Sequence, residues 1–268
     1  IRVDTMLRNG SNVLKVHFYS TIKEGVKRFN KIDYKLPVSA NDDDTLGGIP
    51  GKRISVFTRK APYQFGWDFA PRFVSAGIWR PVNFVKKKRK FISDVQIHQN
   101  ALTDSVALLE INTQVYSNKS DSVCLNILFG NQKLEKECLI VQKGFNNLNF
   151  LMKVENPELW WPIGYGDQYL YDVKATLKWA DKQKDKYQLK YGLRNIEIVQ
   201  EKDSIDRSFY FSVNGQDIFA RGANMVPMSS FPHQVSNSDR RSMMKNVVNA
   251  NMNMIRIWGG GIYPDEYF

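Results

Sequence analysis

Hydrophobic residues recur at every second position through most of the chain. Leu14, Val16 and Phe18 fall on one face of a half-buried strand. Ile54 and Val56 repeat the pattern beyond a loop holding Asp42-Asp43-Asp44, Gly47, Gly48 and Pro50, so the first stretch predicts an all-β unit. The alternation restarts near Phe91, with Val95 and Ile97, then Ala107, Leu109, Ile111, Thr113 and Val115, then Val123 to Phe129. It continues in Leu148, Phe150, Met152 and Val154, and in Tyr169, Tyr171, Val173, Ala175, Leu177 and Trp179. Strands separated by short turn signals over this span predict a second, separate β unit.

After Gly192 the pattern changes. Ser208 to Val213 and Gln216 to Ala220 flank Asn214-Gly215, a pair that readily supplies the positive φ angles of a type I′ hairpin turn. A polar stretch with the capping candidates Ser236 and Ser238 precedes Met243, Met244, Val247 and Val248 at helical spacing, ending near Asn251. Met254-Ile255-Arg256-Ile257-Trp258 then reads as a buried strand running into Gly259-Gly260-Gly261, and Pro264 suits the first turn of another helix. Strand, helix and strand in close succession build parallel sheets or barrels. One and a half such repeats do not close a barrel of eight, so the rest of it is expected downstream. The chain is therefore expected to be multidomain and mostly β, its middle unit an immunoglobulin-like sandwich.

Composition narrows this reading. The chain has 268 residues, 43% of them hydrophobic, with 6 Trp, 12 Tyr and 16 Phe, which excludes wholesale disorder. No apolar run approaches the roughly 20 residues that span a bilayer, and the first residues show no signal peptide. The net charge of +11 favours acidic partners. Its densest run, Lys86-Lys87-Lys88-Arg89-Lys90, lacks interleaved aromatics and reads as a solvated strand end or linker, not a nucleic-acid patch. Cys124 and Cys138 lie symmetrically about Gly130-Asn131, a spacing suited to facing each other across a hairpin; we read them as two buried free thiols. His17, His98 and His233 are scattered without metal-ligand spacing, and Gly259-Gly260-Gly261 lacks the features of a nucleotide loop, so neither metal nor cofactor is expected.

Four segments concentrate aromatic, glycine and polar residues: Gly66-Trp67-Asp68-Phe69-Ala70-Pro71-Arg72, Gly77-Ile78-Trp79-Arg80-Pro81, Trp160-Trp161-Pro162-Ile163-Gly164-Tyr165-Gly166 and Arg256 to Gly261. Trp160 and Trp161 beside Pro162 read as a plug at the end of a sandwich. By residue type alone, Asp68 reads as a structural ion pair with Arg72. Trp258 and Arg256 differ, because the ends of barrel strands line the active face.

Together, GWDFAPRFVSAGIWRPV, ELWWPIGYGDQYLY, GLRNIEIVQE, FSVNGQDIFARGANMVP and NANMNMIRIWGGGIYPDEYF resemble the β-mannosidases of glycoside hydrolase family 2 from about residue 10 onward. The segment Arg256 to Gly261 departs from the Arg-x-Ser-His-Tyr-Pro type of the family's β-galactosidases and β-glucuronidases. The resemblance implies a sugar-binding-like jelly-roll domain over 1–88, an immunoglobulin-like β-sandwich over 89–191 and the first part of a catalytic (β/α)8 TIM barrel over 192–268. It also implies retaining, exo-acting hydrolysis of terminal β-D-mannose by two glutamates about 5 to 5.5 Å apart. Both glutamates are expected beyond this chain, which reads as a piece cut at both ends and inactive alone; Glu158, Glu197, Glu201 and Glu266 stand in the wrong contexts.

The same resemblance assigns Asp68 to two mannose hydroxyls, as a carboxylate accepts two charge-assisted hydrogen bonds. Trp67 and Trp258 become aromatic walls, and Arg256 and Asn224 position carboxylates or hydroxyls. Phe69-Ala70 replaces the family's usual Trp-Gly, and Ser229 stands where an Asp is common, which removes a polar contact. The expected partner is a β-mannoside, with no nucleic acid, no membrane span and an oligomeric state the sequence leaves open. Alternatives are a noncatalytic carbohydrate-binding protein, or specificity for β-galactosides or β-glucuronides. Periplasmic, secreted or lysosomal residence is expected by analogy, with sequons at Asn9 and Asn118 compatible with it.

Overall fold

The computed structural model describes residues 3, 6–38, 41–84, 88–182, 184–202 and 204–264, with the backbone alone at 135–137. The described residues fall into two compact units. One draws on Ile1–Asn83, Asn224–Met243 and Arg256–Phe268, the other on Phe84–Ala223 and Met244–Ile255.

The second unit is a β-sandwich. Its strands are β1 (Lys90–Leu102), β2 (Val106–Ser117), β3 (Asp121–Phe129), β4 (Gln132–Val141), β5 (Gly144–Glu155), β6 (Tyr171–Trp179) and β7 (Lys184–Tyr191). They form antiparallel sheets in the orders β1-β2-β5 and β4-β3-β6-β7. Alternation decides the faces: Ala107, Leu109, Ile111, Thr113 and Val115 point inward from β2, and Leu148, Phe150, Met152 and Val154 from β5. They meet Val123, Leu125, Ile127 and Phe129 of β3 and the Tyr171-to-Trp179 series of β6 in one core. Each large apolar side chain buried there contributes about 1.5–3 kcal/mol.

β7 carries little of the pattern. Of its residues only Tyr187, Leu189 and Tyr191 reach the core, and they do so opposite Ala175, Val173 and Tyr171. The segment Trp160 to Gly166 is held by its backbone at one end of the sandwich. Trp160 N donates to Leu193 O at 2.8 Å, the Arg194 guanidinium lies 4.9 Å from the Trp160 ring, and a Cβ on Gly166 would stand 2.7 Å from the Trp161 ring.

Strands β8 (Ile196–Val199), β9 (Tyr210–Val213) and β10 (Gln216–Ile218) form a small antiparallel sheet, and Asn214 and Gly215 turn its hairpin at φ 51° and 78°. Asn214 has a second use. Its Oδ1 accepts from Asn195 N at 2.9 Å and its Nδ2 donates to Trp160 O at 3.0 Å, tying this sheet to the sandwich loop. Then come β11 (Gly222–Met225), the helix α2 (Asn237–Asn249) and β12 (Met254–Ile257). Ser236 caps α2: its hydroxyl accepts from Asp239 N while Asp239 accepts from Ser236 N and Oγ, a reciprocal box. Met254 N donates to Arg221 O and Trp258 N to Met225 O, so the pair β11–β12 runs parallel.

Three expectations are corrected. The first stretch is not all-β. A helix, α1 (Thr21–Phe29), is capped by Ser20, and Ser55–Phe57 is a 3-10 turn. Leu14 is 73% exposed, no described strand pairs with residues 12–19, and the amides of Ile54 and Ser55 donate to the Asp42 carboxylate in place of a ladder. A two-residue period without a partner strand satisfies no backbone group.

Second, Cys124 and Cys138 are direct cross-strand partners in β3 and β4 with Cα atoms 3.9 Å apart, and they are bridged. Position 124 is half-buried and 138 exposed, on the outer side of the alternation, so neither thiol is a core residue.

Third, Lys90 is not a solvated charge. Lys86 and Lys87 lie outside the described residues, and Lys88 pairs with Asp185 at 2.6 Å. Lys90 is 3% exposed, packs on the Trp179 ring and donates to Asp121 and Asp181.

Burial works against the Lys90 ammonium, but the bonds to Asp121 and Asp181 outweigh it and hold the group above the ordinary 10.5. The Lys90 bond in turn holds Asp121 below 3.8. The Lys90 contribution is full below pH 10.5 and is lost as pH rises through its raised value; that of Asp121 is full above pH 3.8 and is lost as pH falls through its lowered value. Lys90→Met is expected to cost about 3 kcal/mol at pH 7 and to flatten both limbs of stability against pH in urea melts. The bridge closes a separation of 14 residues, and its reduction is expected to lower stability by about 3 kcal/mol. A maleimide should label neither cysteine of the unreduced, unfolded chain.

Candidate sugar-contacting site

The first unit is organised around a buried carboxylate. Asp42, at φ 63°, is fully buried; its Oδ2 accepts from the amides of Ile54 and Ser55, and its Oδ1 accepts from Arg72 Nη1. The same guanidinium nitrogen donates to Phe65 O at 2.9 Å, and Phe73 N donates to Gln64 O at 3.0 Å. Arg72 therefore serves Asp42, not Asp68, which corrects the pairing expected from residue type. Neighbouring Asp43 caps the next turn. Its carboxyl is held well below the usual range by the Thr45 hydroxyl and amide and by Arg53.

Between Phe65 and Arg72 the chain makes a tight reversal. The 3-10 turn Pro62–Phe65 ends at Gly66, whose φ of 100° and whose missing Cβ, which would stand 2.9 Å from Leu46 Cβ, both require glycine. Trp67 and Ala70 then pair as an isolated antiparallel bridge, leaving Asp68 and Phe69 at its tip. Asp68 is exposed and has neither an ion-pair nor a hydrogen-bond partner among the described residues.

The tip is docked onto residues far along the chain. Tyr63 Oη donates to Ser229 O at 3.3 Å and Gln64 Nε2 to Ser230 O at 3.0 Å. Trp258 follows β12. Its ring centroid lies 5.1 Å from that of Trp67, 5.4 Å from Phe69 and 6.4 Å from Tyr63, and aromatic pairs at such separations contribute beyond their buried area. A Cβ on Gly260 would stand 2.3 Å from the Trp258 indole, so this glycine admits the ring. Tyr63 is fully buried beneath the cluster, and burial pushes its phenol upward.

Of the five predicted residues, the structure brings together Trp67 and Trp258, with Asp68 between two residues that touch Trp258. Arg256 and Asn224 form a second group: Arg256 Nη1 donates to Asn224 Oδ1 at 3.2 Å, both are exposed, and alternation puts Arg256 on the Trp258 side of β12. Tyr63 was not a candidate; it sits in a 3-10 turn with no periodic signal. Ser229 uses its carbonyl for Tyr63 and its hydroxyl to accept from Phe231 N.

A cavity of about 40 Å³ lies in the same unit, lined by Trp79, Met225, Pro227, Ser229 and Tyr263. It has room for a few waters and not for a sugar ring, and none of the five predicted residues lines it. The arrangement at Asp68 is an open one: an unpartnered carboxylate beside exposed aromatic edges, which can accept hydroxyl protons while a ring's apolar face lies against Trp67 or Trp258. Among the described residues no helix is long and apolar enough to cross a membrane.

Comparison with known proteins gives matches along the whole chain. Residues 1–80 match the family model "Glycosyl hydrolase 2 galactose-binding domain-like", and residues 90–194 match "Glycosyl hydrolases family 2". A β-mannosidase B of Neosartorya fischeri is 35% identical over 266 residues, covering 97% of this chain and 30% of that protein. A β-mannosidase B of Emericella nidulans is 34% identical over 226 residues, covering 82% of this chain and 26% of that protein. The crystal structure of a β-D-mannosidase from Dictyoglomus thermophilum superposes with a TM-score of 0.79 at 30% identity, covering 92% of this chain and 30% of that one. The chain thus spans under a third of the length of these relatives.

The anchor of the site is testable by itself. Arg72→Met leaves Asp42 buried without its cation and is expected to cost about 3–5 kcal/mol. Chemical denaturation followed by tryptophan fluorescence measures this, with the Trp67–Trp258 contact as reporter; Arg72→Lys should recover part of the loss.

Proposed function

Because this chain belongs to glycosyl hydrolase family 2, with a galactose-binding-like domain and the family's immunoglobulin-like sandwich, we propose that it is part of a β-mannosidase acting on terminal, non-reducing β-D-mannose. The observation that carries this is the clustering of Trp67, Phe69 and Trp258 around the tip that exposes Asp68, in a chain aligned along 97% of its length with a β-mannosidase B. In this reading Asp68 accepts hydrogen bonds from two mannose hydroxyls, the indoles take the apolar face of the ring, and Arg256 is oriented by Asn224. The strand-helix-strand run β11–α2–β12 is the opening of the TIM barrel, and the division at 1–88, 89–191 and 192–268 belongs to the same proposal. The general acid and the nucleophile of a retaining reaction come from glutamates outside this sequence. Periplasmic, secreted or lysosomal residence is likewise proposed, and the Cys124–Cys138 bridge supports an oxidising compartment.

The test is hydrolysis of chromogenic β-mannoside, β-galactoside and β-glucuronide by the intact protein that contains this chain. A mannoside preference is expected, with kcat/KM lowered about 100-fold or more by Asp68→Ala, since two charge-assisted hydrogen bonds are lost. A preference for either other glycoside, or an unchanged Asp68→Ala enzyme, overturns the proposal.

A further inference from the structure

The outer face of the β1-β2-β5 sheet presents side chains in ordered rows. In the pairing of β1, β2 and β5, Phe91, Tyr116 and Phe145 form one row across the three strands; after a register shift in β1 between Ile92 and Asp94, Asp94, Gln114 and Asn147 form the next, and Gln96, Asn112 and Asn149 the third. The aromatic row is continuous, with ring centroids 5.3 Å apart from Phe91 to Tyr116 and 5.1 Å from Tyr116 to Phe145, and Phe145 is 61% exposed. The two polar rows enclose a groove of about 290 Å³.

Chemistry restricts what fits. Of the seven residues lining the groove, the six in the two polar rows are five amides and one carboxylate and the seventh is Thr113, so the surface offers donors and acceptors together with little charge. Neither Lys nor Arg stands in the three rows, so the excess cationic charge of the chain lies elsewhere, which disfavours phosphate or sulfate ligands. Part of the polar capacity is used within the groove: Gln96 Nε2 donates to Asp94 Oδ2 at 2.9 Å, and Gln114 Nε2 to Asn147 Oδ1 at 3.3 Å. Asp94 Oδ1 is held by Val95 N and, from β7, by Tyr187 Oη. On the central strand, Asn112 Oδ1 is buried and has no hydrogen-bond partner among the described residues. A ligand complementary to this surface is neutral, carries hydroxyls that both donate and accept, and has an apolar face to lie on the aromatic row. Three strands at their usual spacing make the surface roughly 10 Å wide, enough for more than one pyranose ring.

We infer that this face binds a neutral glycan chain, its hydroxyls taken by Gln96, Asn112, Asn147 and Asn149 and its apolar side stacked on Tyr116 and Phe145. This goes beyond the proposed hydrolysis: the surface belongs to the sandwich and uses none of Trp67, Asp68 or Trp258. Its function is to hold the polymer and raise its local concentration for the protein as a whole.

The test is native affinity electrophoresis of the intact protein in gels containing soluble galactomannan, with hydroxyethylcellulose as a second neutral polymer. Retardation of the wild type by at least one polymer is expected. Asn149→Arg and Asn147→Arg, both at exposed positions, fill the groove without disturbing the core and are expected to weaken retardation at least about tenfold. They should leave kcat/KM on a small chromogenic glycoside unchanged, while Asp68→Ala should retain retardation. The inference is overturned if neither polymer retards the wild type, if the groove variants migrate as the wild type does, or if Asp68→Ala abolishes retardation. Groove-dependent retardation in a protein that fails to hydrolyse mannosides would sink the hydrolytic reading and leave this one standing.

Discussion

A fully buried aspartate imposes the main constraint on the unit that carries the candidate site. Left alone, the Asp42 carboxylate would be far too costly to remove from water, so its two oxygens must be filled, and they are filled by Arg72 and by the amides of Ile54 and Ser55. Those partners lie in two loops that share no regular sheet. The ion pair thus does the work that a ladder does elsewhere in the molecule: it closes the path from Gly66 to Arg72 and fixes where the Asp68 tip emerges. Arg72 Nη1 donates to Phe65 O as well, so a single nitrogen joins the buried carboxylate to the turn before Gly66.

On that base the tip is joined to residues from the other end of the chain by a few long-range bonds and one cluster of rings. Tyr63 and Gln64 reach the carbonyls of Ser229 and Ser230, and Trp258 fills the space among Tyr63, Trp67 and Phe69. The glycines on each side are there for closeness of approach, Gly66 to Leu46 and Gly260 to the indole. The rings of Trp67 and Phe69, on either side of Asp68 in sequence, thus pack on Trp258, while the carboxylate between them is exposed and has no partner among the described residues.

The sandwich was legible because its signal is both periodic and local. All five inward positions read on β2 are buried, and Asn214-Gly215 encodes its turn in two residues. β7 escaped notice since its alternation is set in a run of lysines, with Tyr187, Leu189 and Tyr191 as the only clues. In the first stretch the same period misled, because Leu14, Val16 and Phe18 have no strand to pair with, and Asp42 draws the Ile54 and Ser55 amides away from a ladder. Trp67, Asp68 and Trp258 stood out by type and through the family resemblance. Their convergence is implied by the family resemblance and not by the pattern of residues, since it depends on Tyr63, a residue in a 3-10 turn, meeting a carbonyl 166 positions away. Lys90 was misread for a related reason: within a basic run nothing marks the one ammonium that two distant aspartates and Trp179 enclose.

The bridge between Cys124 and Cys138 has a meaning beyond its free energy. β4 lies at the margin of the four-stranded sheet, where a strand exposes unpaired amides and carbonyls and is free to slide or to recruit a foreign chain. A covalent rung between directly opposed residues forbids a one-position slip, which would exchange the two faces of the strand, and it prevents the strand from peeling away to be exchanged with a second molecule. One border of this sheet is thereby secured by a chemical bond and not by shape and polarity alone.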